Sequence, residues 1–337
     1  MVAPPCIPTM TESLPSLFRR CSVTLLDPAS DHGERFAAVQ ALHSALCGAL
    51  ELDDARPAND EQESTRLALG TAVSVQMAAR CLREYQRTAR FLQGVAAAVG
   101  EARRRFPGER IRLLEAGCGP FGLLALPLSV RFAPEELGFV LLDYHGRSLA
   151  AVRQLTRLLG LEDYVIDTVQ ADATRWQCPP ALRPHVLVSE TMRASLSDEP
   201  QVAVVANLAP QMMPDGIMVP ESIQVDACLF HQGDPVDAKT RSWIELGPLF
   251  ELTKDKAGKP FPLRELTLPD EVPGNYDLVT RTRIRLFGDI WLQPFECSLT
   301  LNRVVRELCR LRGGERIAAR YALEPQPGFQ WQEPIRG

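Results

Sequence analysis

The chain has 337 residues, long enough for two or three domains and a sizeable core. Its 45% hydrophobic and 23% charged content excludes wholesale disorder and any fibrous class. Lysine plus arginine number 37 against 42 acids, a net charge of -5, which counts against a general nucleic-acid binder, and no apolar run is long enough to predict a membrane span.

Met1 to Pro8 lacks the charged-then-apolar layout of a signal peptide. The nine scattered cysteines include no Cys-x-x-Cys pair and read as reduced thiols of a cytoplasmic protein. None of the five histidines pairs at metal-ligand spacing, so no metal site is expected. Glu34 to Leu50 carries apolar residues at helical spacing, and Glu51 to Glu63 is an acidic stretch without period. Residues 1–63 are therefore expected to be a helical extension and a linker. Two helices are predicted next, Thr65 to Arg80 and Cys81 to Arg105, the second ended by Phe106-Pro107-Gly108.

From Arg110 the texture changes. Arg110–Ala116, Phe139–Leu142, Tyr164–Val169 and His185–Ser189 are short apolar strands, with a helix over Ser148–Leu159. Strand and helix in alternation predict a parallel sheet covered on both faces. In such sheets ligands sit beyond the carboxyl ends of the strands. Glu115, Asp143, Asp172 and Glu190 all lie at those ends. Past Pro220 the pattern alternates as antiparallel strands do, at Glu221–Phe230, Leu278–Phe287, Ile290–Leu301 and Arg316–Leu323. Arginines 281, 283 and 285 point one way, Thr280, Thr282, Ile284 and Leu286 the other. Gly233–Asn275, rich in Pro, Gly, Lys and Asp, reads as a long excursion. The expected architecture is α/β: a helical N-terminal region, a Rossmann-like sheet domain over 64–220, and a β-barrel-like antiparallel domain over 221–337.

The first motif joins the first strand to its helix, Glu115-Ala-Gly-Cys-Gly-Pro-Phe-Gly122. Glycines at Gly117 and Gly119 let the backbone approach a ligand closely, and a following helix N-terminus favours negative charge. Taken alone, the turn also suits an NAD site or a bare strand–helix connection. Asp143 stands where a carboxylate would hold a ribose hydroxyl pair, and Asp172 where one would hold an adenine edge. The spacing resembles the S-adenosylmethionine turn of class I methyltransferases.

The second motif is Ser189-Glu190-Thr191-Met192-Arg193-Ala194-Ser195-Leu196-Ser197-Asp198-Glu199, two glutamates nine residues apart after a buried strand. Singly, they would read as a helix-cap acid and a surface acid. Together they resemble the double-glutamate loop of the protein arginine methyltransferase family. Upstream, Cys81-Leu82-Arg83-Glu84-Tyr85-Gln86-Arg87-Thr88 resembles that family's helical segment ending in Arg-Thr. Downstream, Ala203–Ala209 and Pro214–Pro220 look like its helix and the proline-glycine turn before its barrel. The resemblance implies S-adenosyl-L-methionine as cofactor, held by Arg87, Glu115, Gly117, Gly119, Asp143 and Asp172. It also implies Glu190 and Glu199 as the catalytic pair on a guanidinium, and a homodimer. Two carboxylates suit a guanidinium because it is planar, always charged and donates paired hydrogen bonds.

The departures fall on the acceptor side. Thr191 replaces the family's aromatic residue, Arg193 its glycine, and no Thr-His-Trp string exists. A free amino acid needs a partner for its α-carboxylate, which Arg193 would supply beside Met192, with Arg281, Arg283 or Arg285 as the fallback. The expected enzyme is thus similar to the branch that methylates free L-arginine or a small guanidino compound, as in the streptozotocin pathway. A protein arginine methyltransferase is the alternative, and a non-catalytic binding module of the same fold the second.

Overall fold

Two capping arrangements start the helical N-terminal region. Ser13 caps α1 (Leu14–Leu26), with proline in its first turn. Asp31 and Glu34 form a reciprocal capping box on α2 (His32–Ala49). Helix α1 lies ahead of the expected helical stretch Glu34–Leu50, and it buries Phe18, Cys21, Leu25 and Leu26 in the common core. The computed structural model describes residues 12–52, 64–234, 236–271, 276–306 and 313–332. The acidic linker expected over 51–63 lies almost wholly outside them. No helix among the described residues is long and apolar enough to cross a membrane.

The helix expected from Thr65 is corrected. Its first half is a hairpin, β1 (Thr65–Leu67) with β2 (Gly70–Ala72), and helix α3 (Val75–Cys81) begins only at the Ser74 N-cap. Gly70 explains the break. Its φ is +130°, and an added Cβ would lie 2.8 Å from the Pro200 nitrogen, so the chain must be extended and bare here. Helix α4 (Tyr85–Arg105) follows as expected.

The parallel sheet has the order β5-β4-β3-β6-β7, with β3 Ile111–Ala116, β4 Leu137–Asp143, β5 Val165–Gln170, β6 Val186–Ser189 and β7 Ile217–Val219. Strand β4 is buried along its length. Helix α5 (Gly146–Leu159) crosses from β4 to β5, and α6 (Gln201–Leu208) follows β6. Strand β7 adds a fifth member where a turn was expected; three apolar residues against a buried β6 suffice to pair. The strand order reverses between β3 and β6, so the ligand crevice of such a sheet falls beside the carboxyl ends of β3, β4 and β6.

Two antiparallel sheets form the C-terminal part. In one, β8 (Ser222–His231) lies between β9 (Ser242–Thr253) and β11 (Asp277–Phe287), while β12 (Ile290–Leu292) and β13 (Arg303–Arg306) pair with opposite halves of β11. The other is β10 (Arg264–Thr267), β14 (Arg316–Ala322) and β15 (Gly328–Gln332). The excursion expected over 233–275 therefore contains a full strand, β9. Gly247 and Pro248 interrupt its alternation, and the register against β8 shifts beside them. The strand expected over Ile290–Leu301 stops at Leu292, because Pro294 and a positive φ at Phe295 turn the chain.

Candidate functional site

The carboxyl ends of the parallel strands open into a cavity of about 690 Å³. All ten residues singled out from the sequence line it: Arg87, Glu115, Gly117, Gly119, Asp143, Asp172, Glu190, Met192, Arg193 and Glu199. Its walls come from the glycine turn, α3, the start of α4, the loop 190–200 and a segment at Ser298–Arg303.

On the sheet side, Gly117 and Gly119 have φ of +82° and +59°. An added Cβ at Gly117 would meet Thr191 Cγ2 at 2.5 Å, whereas at Gly119 the nearest protein atom, Ala78 Cβ, is 3.4 Å away. Gly117 is therefore required by the protein's own packing, and Gly119 only by its backbone angle and by whatever fills the cavity. Asp143 orders the turn. One carboxylate oxygen accepts from the Gly119 N–H at 2.9 Å and the other from the His145 N–H at 2.8 Å. Each oxygen keeps acceptor capacity for a hydroxyl. Burial pushes this carboxyl above the ordinary range, and those backbone donors pull against it. Asp172 uses one oxygen on the Thr174 N–H and hydroxyl, at 2.9 and 2.7 Å.

Glu115 is 3% exposed. Its Oε1 accepts from the Leu124 N–H at 3.0 Å, and its Oε2 has no partner among the described residues. Burial drives its pKa to about 8. The folded protein then keeps this proton where the unfolded chain has lost it. The stability it contributes is complete below the ordinary value of 4.5 and declines as pH rises to about 8. The slope is about 1.4 kcal/mol per pH unit in that window. Glu115→Gln, which mimics the neutral form, is expected to flatten that dependence and to melt higher than wild type at pH 8. Parallel melting curves from pH 5 to 8 check it; an unchanged slope means Glu115 ionises in the fold.

On the opposite side, Glu190 Oε2 accepts from Nε of Arg87 at 3.1 Å and makes a closer contact with its Nη2. The third Arg87 nitrogen donates to Glu84 at 3.0 Å, and Glu84 accepts in turn from the Ser298 N–H and hydroxyl, at 3.0 and 2.8 Å. Two residues expected to serve different ligands, Arg87 and Glu190, are thus one buried ion pair, tied through Glu84 to the segment Ser298–Arg303. Glu190 Oε1 is buried with no partner among the described residues. Burial pushes the Glu190 carboxyl up, and Arg87 pulls it back towards ionisation. Glu199 lacks such a contact. Burial, then the Glu190 charge, brings it to about 7.

The loop between the glutamates is strained. Ser195, Leu196 and Asp198 have φ of +60°, +54° and +68°, each costing roughly 1–3 kcal/mol for a residue with a side chain. The C-terminal part holds them there. Ser195 N–H donates to the Thr282 hydroxyl at 2.9 Å, its own hydroxyl meets that of Thr280 at 2.6 Å, and the Tyr321 hydroxyl donates to Leu196 O at 2.7 Å. Asp198 N–H donates to Pro327 O at 2.9 Å, and its carbonyl accepts from Thr71 of the hairpin at 2.9 Å. From below, Gln201 Oε1 accepts from the Thr191 N–H at 2.9 Å. The sequence reading missed Thr280, Thr282, Tyr321 and Gln201 as supports. The signal was there in part: two threonines on the inward face of β11, among apolar neighbours, call for a polar partner.

Met192 is buried against the core, while Arg193 is half-exposed, 3.8 Å from both Glu199 and Asp198. The fallback arginines are not in the cavity. Arg281 and Arg283 pair with Asp226, and Arg285 with Glu221, on the other face of β11. The arginine that the C-terminal part does place in the cavity is Arg303.

No protein-family model matches the chain, and no curated protein matches it. Among solved structures it is similar to a chain of the Trypanosoma brucei PRMT1 enzyme-prozyme heterotetrameric complex with AdoHcy. The TM-score is 0.51 at 14% sequence identity, over 77% of this chain and 98% of that one. At that identity the likeness is one of fold: a parallel sheet with its N-terminal helices and the antiparallel part behind it.

Proposed function

We propose that the chain is an S-adenosylmethionine-dependent N-methyltransferase for the guanidino group of free L-arginine or a small guanidino compound. One observation carries the reading. A single cavity is lined both by a glycine turn ordered by a strand-end aspartate and by two largely buried glutamates. The residues fit the cofactor: Asp143 and Asp172 keep free acceptor capacity, Gly119 leaves room, and Arg87 offers a cation for the carboxylate. The similar fold of the AdoHcy-bound chain supports this, and it supports a protein arginine methyltransferase equally. When bound, S-adenosylmethionine supplies an electrophilic methyl on a sulfonium.

The protein's own residues divide the remaining work. Glu190, which burial pushes up and the Arg87 charge pulls back towards ionisation, accepts hydrogen bonds from the guanidinium and holds its plane. Glu199 faces the same group, and its value near neutrality suits it to take the proton that the attacking nitrogen releases. Fixing nitrogen and methyl in line is a positional gain, and the carboxylates match the positive charge that shifts onto the guanidine. Met192 and Arg193 line the acceptor end. Arg193 and the missing Thr-His-Trp string favour a small acceptor over a peptide. From its scattered cysteines, read as reduced thiols, we place the enzyme in the cytoplasm, and from the family resemblance as a homodimer making a natural-product building block.

Product mass spectrometry with S-adenosylmethionine and either L-arginine or an arginine-rich peptide tests the reading. Methylarginine is expected, with turnover falling about tenfold per unit at pH below 7, as Glu199 gains its proton. Methylation of the peptide alone would make the chain a protein arginine methyltransferase. Calorimetry showing no cofactor binding would make it a non-catalytic module.

A further inference from the structure

The acceptor end of the cavity holds two cations whose hydrogen-bonding capacity is unspent. Arg193 and Arg303 both line the cavity, are about half-exposed, and stand 3.8 Å from the same oxygen, Oδ2 of Asp198. At that distance neither guanidinium makes a hydrogen bond to it, and neither donates to any other described residue. Next to Arg303 in the chain, Asn302 also faces the cavity, with both its amide oxygen and its amide nitrogen buried and unpartnered among the described residues. Buried amides without partners are costly to keep and are rare in folded proteins. A buried amide without a partner, beside two cations that make no hydrogen bond to the described residues, marks a place where a polar ligand group ends.

The two arginines are not equivalent. Arg193 lies 3.8 Å from Glu199 as well, so it stands beside the glutamate clamp and carries the same charge as the group the clamp takes. Arg303, at the start of β13, makes no such approach to Glu199, and Asp198 is its one acidic neighbour among the described residues. In arginine, three methylenes and the α-carbon separate guanidinium from carboxylate. With the guanidinium at Glu190 and Glu199, Arg193 sits against the clamp and Arg303 is the cation left for the carboxylate. We infer that Arg303 binds the α-carboxylate of the acceptor and that Asp198, whose Oδ1 accepts from the Gln326 amide and whose Oδ2 takes no hydrogen bond from either arginine, binds its α-ammonium. The acceptor class is then a free α-amino acid with a guanidino side chain. A peptide-internal arginine, which has neither charge, is excluded.

This inference rests on the methyltransferase reading, and the experiment separates the two. Methyl transfer is measured for L-arginine, agmatine, which lacks the carboxylate, and Nα-acetyl-L-arginine, which lacks the ammonium. Wild type, Arg303→Gln and Asp198→Asn are compared, with S-adenosylhomocysteine affinity and melting temperature as checks on folding. Asparagine tolerates the positive φ of residue 198, and Arg303 is exposed enough for glutamine to replace it without a cavity. Wild type is expected to prefer L-arginine over both analogues. Arg303→Gln should raise KM for L-arginine about 10- to 100-fold, the loss of one or two charge-assisted hydrogen bonds, with kcat at saturation little changed. Its preference over agmatine should collapse while its preference over the acetylated compound persists. Asp198→Asn should show the reverse. Agmatine methylated as well as L-arginine by wild type, or an undiminished preference in Arg303→Gln, overturns the inference and leaves the methyltransferase reading standing. Methyl transfer to none of the three by a protein that binds S-adenosylhomocysteine overturns the guanidino reading itself, and this inference with it.

Discussion

Glu199→Gln is expected to lower kcat by about 10²–10³, the usual loss when one preorganised electrostatic partner of a transition state is removed. S-adenosylmethionine affinity should stay near wild type, and the melting temperature at or, at pH 7 and above, somewhat above it, since the neutral amide removes the cost of the raised Glu199 value. Glu199 makes no hydrogen-bonded ion pair that the fold depends on; its nearest cation is the half-exposed Arg193 at 3.8 Å. Glu190→Gln should lower kcat at least as much but behave differently otherwise. It strips the buried Arg87 of the carboxylate that neutralises it. Breaking one side of a buried pair typically costs about 3–5 kcal/mol. The variant should therefore melt several degrees lower and, on the proposed role of Arg87 as partner of the cofactor carboxylate, bind cofactor differently. Single-turnover rates, isothermal calorimetry and thermal denaturation on both variants decide it. Near-wild-type turnover in either one removes that glutamate from the clamp.

Gly119→Val is expected to abolish S-adenosylmethionine binding with the fold retained. Protein atoms leave room there, with the nearest contact of an added Cβ at 3.4 Å. The new side chain would instead occupy the cavity against the turn that Asp143 orders. A β-branched residue at φ +59° is strained by roughly 1–2 kcal/mol, which a protein of this size tolerates, so a native-like melting curve should accompany the lost binding. Gly119→Ala should fall between. Gly117→Val would not be informative in the same way, because its clash is with Thr191 and would shift the acid loop as well. Calorimetric titration giving wild-type affinity for Gly119→Val would move the cofactor away from this turn.

Much of the sheet could be read from the chain because its strands are short apolar runs that end at acids. The four strands so marked all formed, with Glu115 and Asp143 within β3 and β4 and Asp172 and Glu190 just past β5 and β6. The hairpin before α3 was hidden, since Thr65–Ala72 contains nothing that distinguishes a strand from a first helical turn except Gly70, whose need arises from Pro200, far away in sequence. Strand β9 was hidden for a local reason: Gly247 and Pro248 break its alternation at the bulge. Within the site, residue identity was legible but pairing was not. That Arg87 would grip Glu190 depends on how α4 lies across β6, a packing relation that no spacing in the chain encodes. Arg303 was passed over because it begins a short edge strand with no motif around it.

The acid loop belongs by sequence to the sheet, yet its shape is imposed from elsewhere. Thr280, Thr282, Tyr321 and the turn at Pro327 hold Ser195, Leu196 and Asp198 in backbone angles they would not keep alone. On the proposed function, donor binding and acceptor choice are therefore written in different stretches of the gene. Mutations that reshape the β13 start or the β14–β15 turn would then redraw the acceptor while every residue of the glycine turn stays unchanged. An enzyme built that way drifts between acceptors without passing through a form that has lost its cofactor.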